Sequence, residues 1–296
     1  MQLSSALLVV AAAISGVAAH PSPAAAHRHA RLHGRNIEAR GDKWVMNVKP
    51  STTSVQSTPE PTTAAASTPA ASTPSSSPST GSGSGVKKAF CSGTNAKRAT
   101  AYDIAYKGNI GGTGDSWGCN IMEVDCDTVD LYDYTAKFTG AGRDTTYACS
   151  AFNKIGPNGV DINGFWYSAL DFSVKSGESR CLAFDTNSQG GVACGVNSVP
   201  KTNLGQLAGT WCEFDAGSSK NDNQSGSDVS IIVAENFGMT DYISMNINAP
   251  GKGDCSTLVK SNPSRNKDIY RKGDEDLDGV GCTGYSTGTL FVTLGE

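Results

Sequence analysis

The stretch SALDFSVKSG, residues 168–177, sets Leu170, Phe172 and Val174 against Asp171, Ser173 and Lys175 and closes on Ser176-Gly177. Strict apolar/polar alternation ahead of a small-residue turn is the pattern of a half-buried β-strand. DVSIIVAEN (228–236), DYISMNINAP (241–250) and TLFVTLGE (289–296) repeat it, with Val229, Ile231 and Val233 on one face and Ile243, Met245 and Ile247 on another. GPNG (156–159), NSQGG (187–191) and PGKG (250–253) read as turns between such strands. Nothing sustains a helical period over three turns, although STLVKSN (256–262) leaves room for a short helix. Short strands at this spacing predict a mainly β domain, an antiparallel sandwich or barrel.

Cysteine usage adds staples to that frame. Cys91, Cys119, Cys126, Cys149, Cys181, Cys194, Cys212, Cys255 and Cys282 contain no close CxxC pair, so a disulfide framework with one cysteine left over fits better than a metal–thiolate site. Sequence locality favours Cys181 with Cys194, Cys255 with Cys282 and Cys119 with Cys126.

An oxidising compartment agrees with the N-terminus. ALLVVAAAISGVAA (6–19) is too short to span a bilayer and ends on Val17 and Ala19 at the small-residue positions of a cleavage site, so residues 1–19 read as a signal peptide. Residues 20–40 carry Arg28, Arg31, Arg35 and Arg40 and all four histidines, which reads as a basic pro-segment. Once it is removed, no histidine remains for a Ser-His-Asp triad or a histidine-ligated metal. Residues 41–87 are dominated by Ser, Thr, Pro, Ala and Gly, a composition that cannot bury enough apolar area to fold and reads as a disordered, O-glycosylated stalk. The folded domain is then 88–296. Of 24 basic and 28 acidic side chains, seven and three precede residue 88, which leaves this domain 17 and 25, a net charge of −8. Such a domain repels phosphate backbones and anionic lipid, so neither nucleic acid nor a membrane is an expected partner.

Four stretches of the domain carry a family likeness: IAYKGNIGGTGDSWGCNIMEV (104–124), FNKIGPNG (152–159), LAFDTNSQGGVACG (182–195) and GTWCEFDAGSSKNDNQSGSDVSIIVAEN (209–236). In order and spacing they resemble the Aspergillus fumigatus major allergen four family of secreted fungal proteins. The resemblance implies an extracellular or cell-wall location and IgE binding, and it supplies no catalytic residues.

Within TWCEFDAG (210–217), a strand would put Trp211, Glu213 and Asp215 on one face and Cys212 and Phe214 on the other. Same-face neighbours stand ~6.6 Å apart at Cα, and two carboxylates about 5–9.5 Å apart beside an aromatic ring are what a glycosidase uses, so Glu213 and Asp215 are the candidate catalytic pair and Trp211 the candidate platform. Asp185 reads as a turn cap that could join the same face. Trp117, Trp166, Tyr102, Tyr106 and Tyr167 either pack in the core or stack on sugar rings. Asn223-Gln224-Ser225 is an N-glycosylation sequon in a polar loop.

Near the C-terminal end, GDEDLDGVGC (273–282) places Asp274, Asp276, Asp278 and Gly279 at positions 1, 3, 5 and 6 of an EF-hand-type loop, but position 12 is Tyr285 rather than Glu. The D-x-D-x-D-G-x-x-C run resembles small extracellular calcium modules of the Excalibur type, with Cys255 and Cys282 as its clasp. A structural calcium ion is the one cofactor this admits, against an acidic, disulfide-pinned turn. The function classes that remain are a non-catalytic, glycan-binding wall or surface protein, a polysaccharide hydrolase using Glu213 and Asp215, and an effector directed at a host protein.

Overall fold

A computed structural model describes residues 85–91 and 108–296. The signal peptide, pro-segment and most of the stalk lie outside the described residues, as do Tyr102 and Tyr106. Thirteen strands occur among the described residues: β1 (Ile121–Val124), β2 (Tyr134–Gly140), β3 (Thr146–Asn153), β4 (Leu170–Lys175), β5 (Ser179–Phe184), β6 (Ser188–Val196), β7 (Thr210–Ser218), β8 (Gln224–Ser230), β9 (Met245–Ala249), β10 (Gly253–Leu258), β11 (Ile269–Tyr270), β12 (Cys282–Tyr285) and β13 (Gly288–Leu294). They form two sheets, one in the order β1-β5-β2-β13-β9-β10 and one in the order β11-β8-β7-β6-β3-β4, with β12 also on β8. The pairing is antiparallel except for β2 with β13 and β8 with β11.

Alternation explains why these segments stack face to face. Phe172 and Val174 of β4, Ile247 of β9 and Leu290, Val292 and Leu294 of β13 all point into one core between the sheets. Aromatic pairs cross the layers: Phe138 of β2 meets Phe172 edge-on at 5.3 Å, and Phe184 of β5 stacks on Phe214 of β7 at 4.2 Å. Burying each such ring contributes about 1.5–3 kcal/mol. Polar clasps join the same layers. Ser256 Oγ of β10 accepts the Val229 N–H at 2.9 Å and donates to the Asp268 carbonyl at 2.6 Å.

Two local expectations are corrected. β8 stops at Ser230, and Ile232–Asn236 forms a short helix, α1, which buries Ile232 and Ala234. NSQGG is not a turn beyond Asn187: Ser188 opens β6, and its glycines serve close packing. A Cβ on Gly191 would stand 2.7 Å from the Phe152 ring, tighter than side chains tolerate.

The disulfides are Cys91–Cys119, Cys126–Cys181, Cys149–Cys194 and Cys255–Cys282, with Cys212 free and buried. Locality misassigns Cys181 and Cys194. Cys181 lies on the outer side of the first sheet under the Cys126–Leu131 turn, whereas Cys194 faces the core from the second. Cys119 and Cys126 are held apart by the extended β1 between them. Cys255–Cys282 joins β10 of one sheet to β12 of the other.

Candidate functional site

On the outer side of the second sheet lies a cleft of about 400 Å³. That volume falls within the ~300–1,000 Å³ of ordinary small-molecule sites. Short side chains make its floor, Ala148 and Ser150 of β3, because strand parity turns Cys149 and Ala151 inward to the core. β4 flanks β3 on one side and contributes Asp171 and Ser173; the loop after β6 flanks it on the other and contributes Val199, Lys201 and Leu207. Trp166 ends a 3-10 turn, Gly164–Trp166, that runs along the same cleft, and Tyr167 and Ser168 follow it.

Hydrogen bonds hold these pieces in register. Leu207 N–H donates to Phe165 O at 2.8 Å, which ties the loop to the aromatic turn, and Ala208 N–H donates to Pro200 O at 2.8 Å, which closes the loop on itself. The Tyr167 ring packs edge-on against Trp117 at 6.0 Å, and Trp117 Nε1 donates to Ile155 O at 2.8 Å. Asp171 Oδ1 accepts from Ser150 Oγ at 2.7 Å and from Ser168 Oγ at 2.6 Å, so the carboxylate is oriented by two donors on one oxygen. Ser150 is only 2 % exposed, whereas Asp171 and Lys201 are exposed. Among the described residues neither Asp171 nor Lys201 joins an ion pair. The chemistry on offer is therefore aromatic stacking, hydroxyl groups and one charge of each sign.

The expected row on β7 lies elsewhere. Trp211, Glu213 and Asp215 do share one face, with Cys212 and Phe214 on the other, but that face is covered. Trp211 packs against Phe152 at 4.8 Å and Phe165 at 5.7 Å, and Glu213 is 1 % exposed. Directly across from Glu213 stands Asp228 of β8, equally buried, with Gly281 packed on it. Burial first, and then the Glu213 charge, push the Asp228 carboxyl well above its ordinary range. Burial, with Asp228 and Glu213 next, also pushes the Cys212 thiol up, away from the thiolate form a nucleophile needs. Glu213 and Asp215 thus do not form the open acid–base pair that glycoside hydrolysis requires, because loops close over the strand face. Asp185 caps its turn, accepting Thr186 N–H and Asn109 Nδ2 at 2.9 Å each.

In the acidic loop, Asp274 Oδ2 accepts Arg271 N–H at 3.1 Å and Asp278 Oδ1 accepts Gly279 N–H at 2.7 Å, while Asp276 points to solvent-exposed surface. Among the described residues no three His, Cys, Asp or Glu side chains converge as a metal cage demands, and no helix is long and apolar enough to cross a membrane. Asn223 is exposed at the tip of the β7–β8 hairpin, with the left-handed φ of 58° common at such turns.

Residues 119–294 match the sequence model of the Allergen Asp f 4-like domain, which covers more than half the chain. The chain belongs to the Allergen Asp f 4-like family. All of the cleft's residues fall inside that matched span. Allergen Asp f 4 of Aspergillus fumigatus is 37 % identical to this Asp f 4-like chain over 180 residues, which are 60 % of this chain and 54 % of the relative. The match therefore spans about half the length of that relative. Among solved structures, the protein elicitor MoHrip2 from Magnaporthe oryzae is similar at 15 % identity and a TM-score of 0.33, over 55 % of this chain and 99 % of that one. IP-1A from Alcaligenes faecalis is similar at 9 % identity and a TM-score of 0.24, over 57 % and 96 %. Neither likeness is close enough to carry an argument.

Of the cleft in this Asp f 4-like domain, sequence reading singled out Trp166 and Tyr167 but missed Ser150, Ser168, Asp171 and Lys201. Asp171 was legible only as the polar member of a strand alternation. Its gathering with Ser150 depends on the β3–β4 register, in which Ser150 and Asp171 are direct partners.

Proposed function

We propose that this Asp f 4-like domain is a secreted, non-catalytic glycan-binding protein of the fungal wall or surface, with the Trp166–Tyr167 cleft as its site. The observation that carries this reading is the joining of two half-buried aromatic rings to Ser150, Ser168 and Asp171 in one open cleft. Sugar rings present apolar faces to such rings and hydroxyls to such polar groups. A non-catalytic role is supported by the cleft's composition: among the described residues its lining holds one carboxylate, Asp171, where glycosidases ordinarily use two. The N-terminal signal-like run and the Ser/Thr/Pro stalk support secretion with the domain held on a spacer.

The test is retention on insoluble fungal β-glucan and chitin. The wild-type chain should be retained and Trp166→Ala released, with circular dichroism showing the same strand content in both. Equal retention of the two would remove the cleft from the reading. Recognition by IgE is inferred from the allergen relative, and an N-glycan at exposed Asn223 from its sequon; serum binding and a mass shift on amidase treatment test each.

A further inference from the structure

Two charged residues of opposite sign, ion-paired with no described residue, line the cleft on opposite flanks, and that arrangement speaks to which glycans it can accept. Asp171 stands on β4, to one side of β3, and Lys201 stands on the loop after β6, to the other side. They form no ion pair with each other or with any other described residue. Asp171 spends Oδ1 on two serine hydroxyls, which leaves Oδ2 as the acceptor presented to a ligand. Lys201 offers only N–H donors.

Resting on the glycan-binding reading above, we infer that the cleft selects neutral sugar units and discriminates against both cationic and anionic glycans. A neutral ring satisfies both flanks at once: one hydroxyl donates to Asp171 Oδ2 and a neighbouring oxygen accepts from Lys201 Nζ, while the ring face lies on Trp166 or Tyr167. Each bond is assisted by a full charge on the protein side, which strengthens it relative to a neutral pair. A glucosamine ammonium would be attracted by Asp171 but would lie in the same small cleft as Lys201. A uronate would be attracted by Lys201 but would face Asp171. In either case one protein charge loses water beside a like charge and gains no partner, which is the costly outcome of desolvation. The overall charge of −8 on residues 88–296 would attract cationic glycans to the surface generally, so a preference for neutral ones must arise in the cleft itself.

The experiment is calorimetric titration of the full secreted chain, at a mildly acid pH where glucosamine is protonated and uronate ionised. The probes are four hexamers: β-1,3-glucan, fully N-acetylated chitin, fully deacetylated chitosan and galacturonan. At least one neutral hexamer should bind at least about tenfold more tightly than either charged one, a gap of the size one charge-assisted hydrogen bond supports. Its affinity should change little with added salt, because no net charge is neutralised. Lys201→Gln should narrow the gap for chitosan, Asp171→Asn should narrow it for galacturonan, and both should weaken the neutral ligand about three- to tenfold. Trp166→Phe, which keeps the packing of a half-buried ring, guards against loss of fold.

A charged hexamer that binds as tightly as the neutral ones and is weakened by Trp166→Phe would overturn the selectivity while leaving glycan binding in place. Binding that none of the three substitutions moves lies outside the cleft and overturns the inference. If no hexamer of any charge binds, the glycan-binding reading falls as well.

Discussion

Glu213 of β7 and Asp228 of β8 stand directly opposite one another across an antiparallel pair, each only 1 % exposed. Two carboxyl groups in such contact do not both ionise readily. They mark this part of the second sheet's outer face as covered, and they make its stability depend on protons.

Asp228 has a folded-state pKa raised by burial and by Glu213. A carboxyl raised above its unfolded value of about 3.9 binds a proton more tightly when folded, so the stabilisation is present below that value and is lost as pH rises through the folded pKa. Asp228→Asn keeps the shape without the titration. It should raise the melting temperature at about pH 8 and leave it nearly unchanged at about pH 4, with each kcal/mol worth ~2–4 °C at this size. A variant less stable than wild type at both pH values would contradict this.

Cys212 should be inert in the native protein. It lies in the core, and burial pushes its thiol up, as do Asp228 and Glu213. Iodoacetamide at mildly alkaline pH should leave the folded chain unlabelled and add one carbamidomethyl group in denaturant without reductant, as mass spectrometry would show.

Phe214→Ala removes the ring that stacks on Phe184 at 4.2 Å across the two sheets. Core truncations of this kind cost about 3–5 kcal/mol, because the cavity closes only in part. Chemical denaturation should register that loss, with the midpoint falling and the slope little changed.

Gly164→Ala acts on the cleft from behind. A Cβ at this position would overlap the Asn153 backbone carbonyl, which cannot swing aside as a side chain would. The turn bearing Trp166 must then shift, and a loss of about 1–3 kcal/mol is expected. Glycan affinity should fall although no lining side chain has changed, and calorimetry of the folded variant would measure it.

Much of the sandwich is legible because alternation is a local signal. SALDFSVKSG declares its inward Phe172 and Val174, and DYISMNINAP its inward Met245 and Ile247. Three things are not local. Cys149 finds Cys194 because β3 and β6 pair in register, although 45 residues separate them. Glu213, Trp211 and Asp215 share a face as parity demands, but what covers that face comes from distant loops. Asp228 reads only as the head of a strand, and its meeting with Glu213 depends on the β7–β8 register. The cleft divides in the same way: its aromatic residues stand out by type, while Asp171 and Lys201 matter only through the neighbours that the sheet gives them.

β13 lies in the middle of the first sheet, parallel to β2 and antiparallel to β9, and Thr135 Oγ1 meets Thr289 Oγ1 at 2.8 Å across 154 residues of intervening chain. Until residues 288–294 are available, β1-β5-β2 and β9-β10 are two unattached ribbons with open edges. Completion of the sandwich therefore waits for nearly the whole domain to emerge, and contacts of such long sequence separation form slowly. Such an order would fit the secretion proposed above, with folding and disulfide formation completed after export.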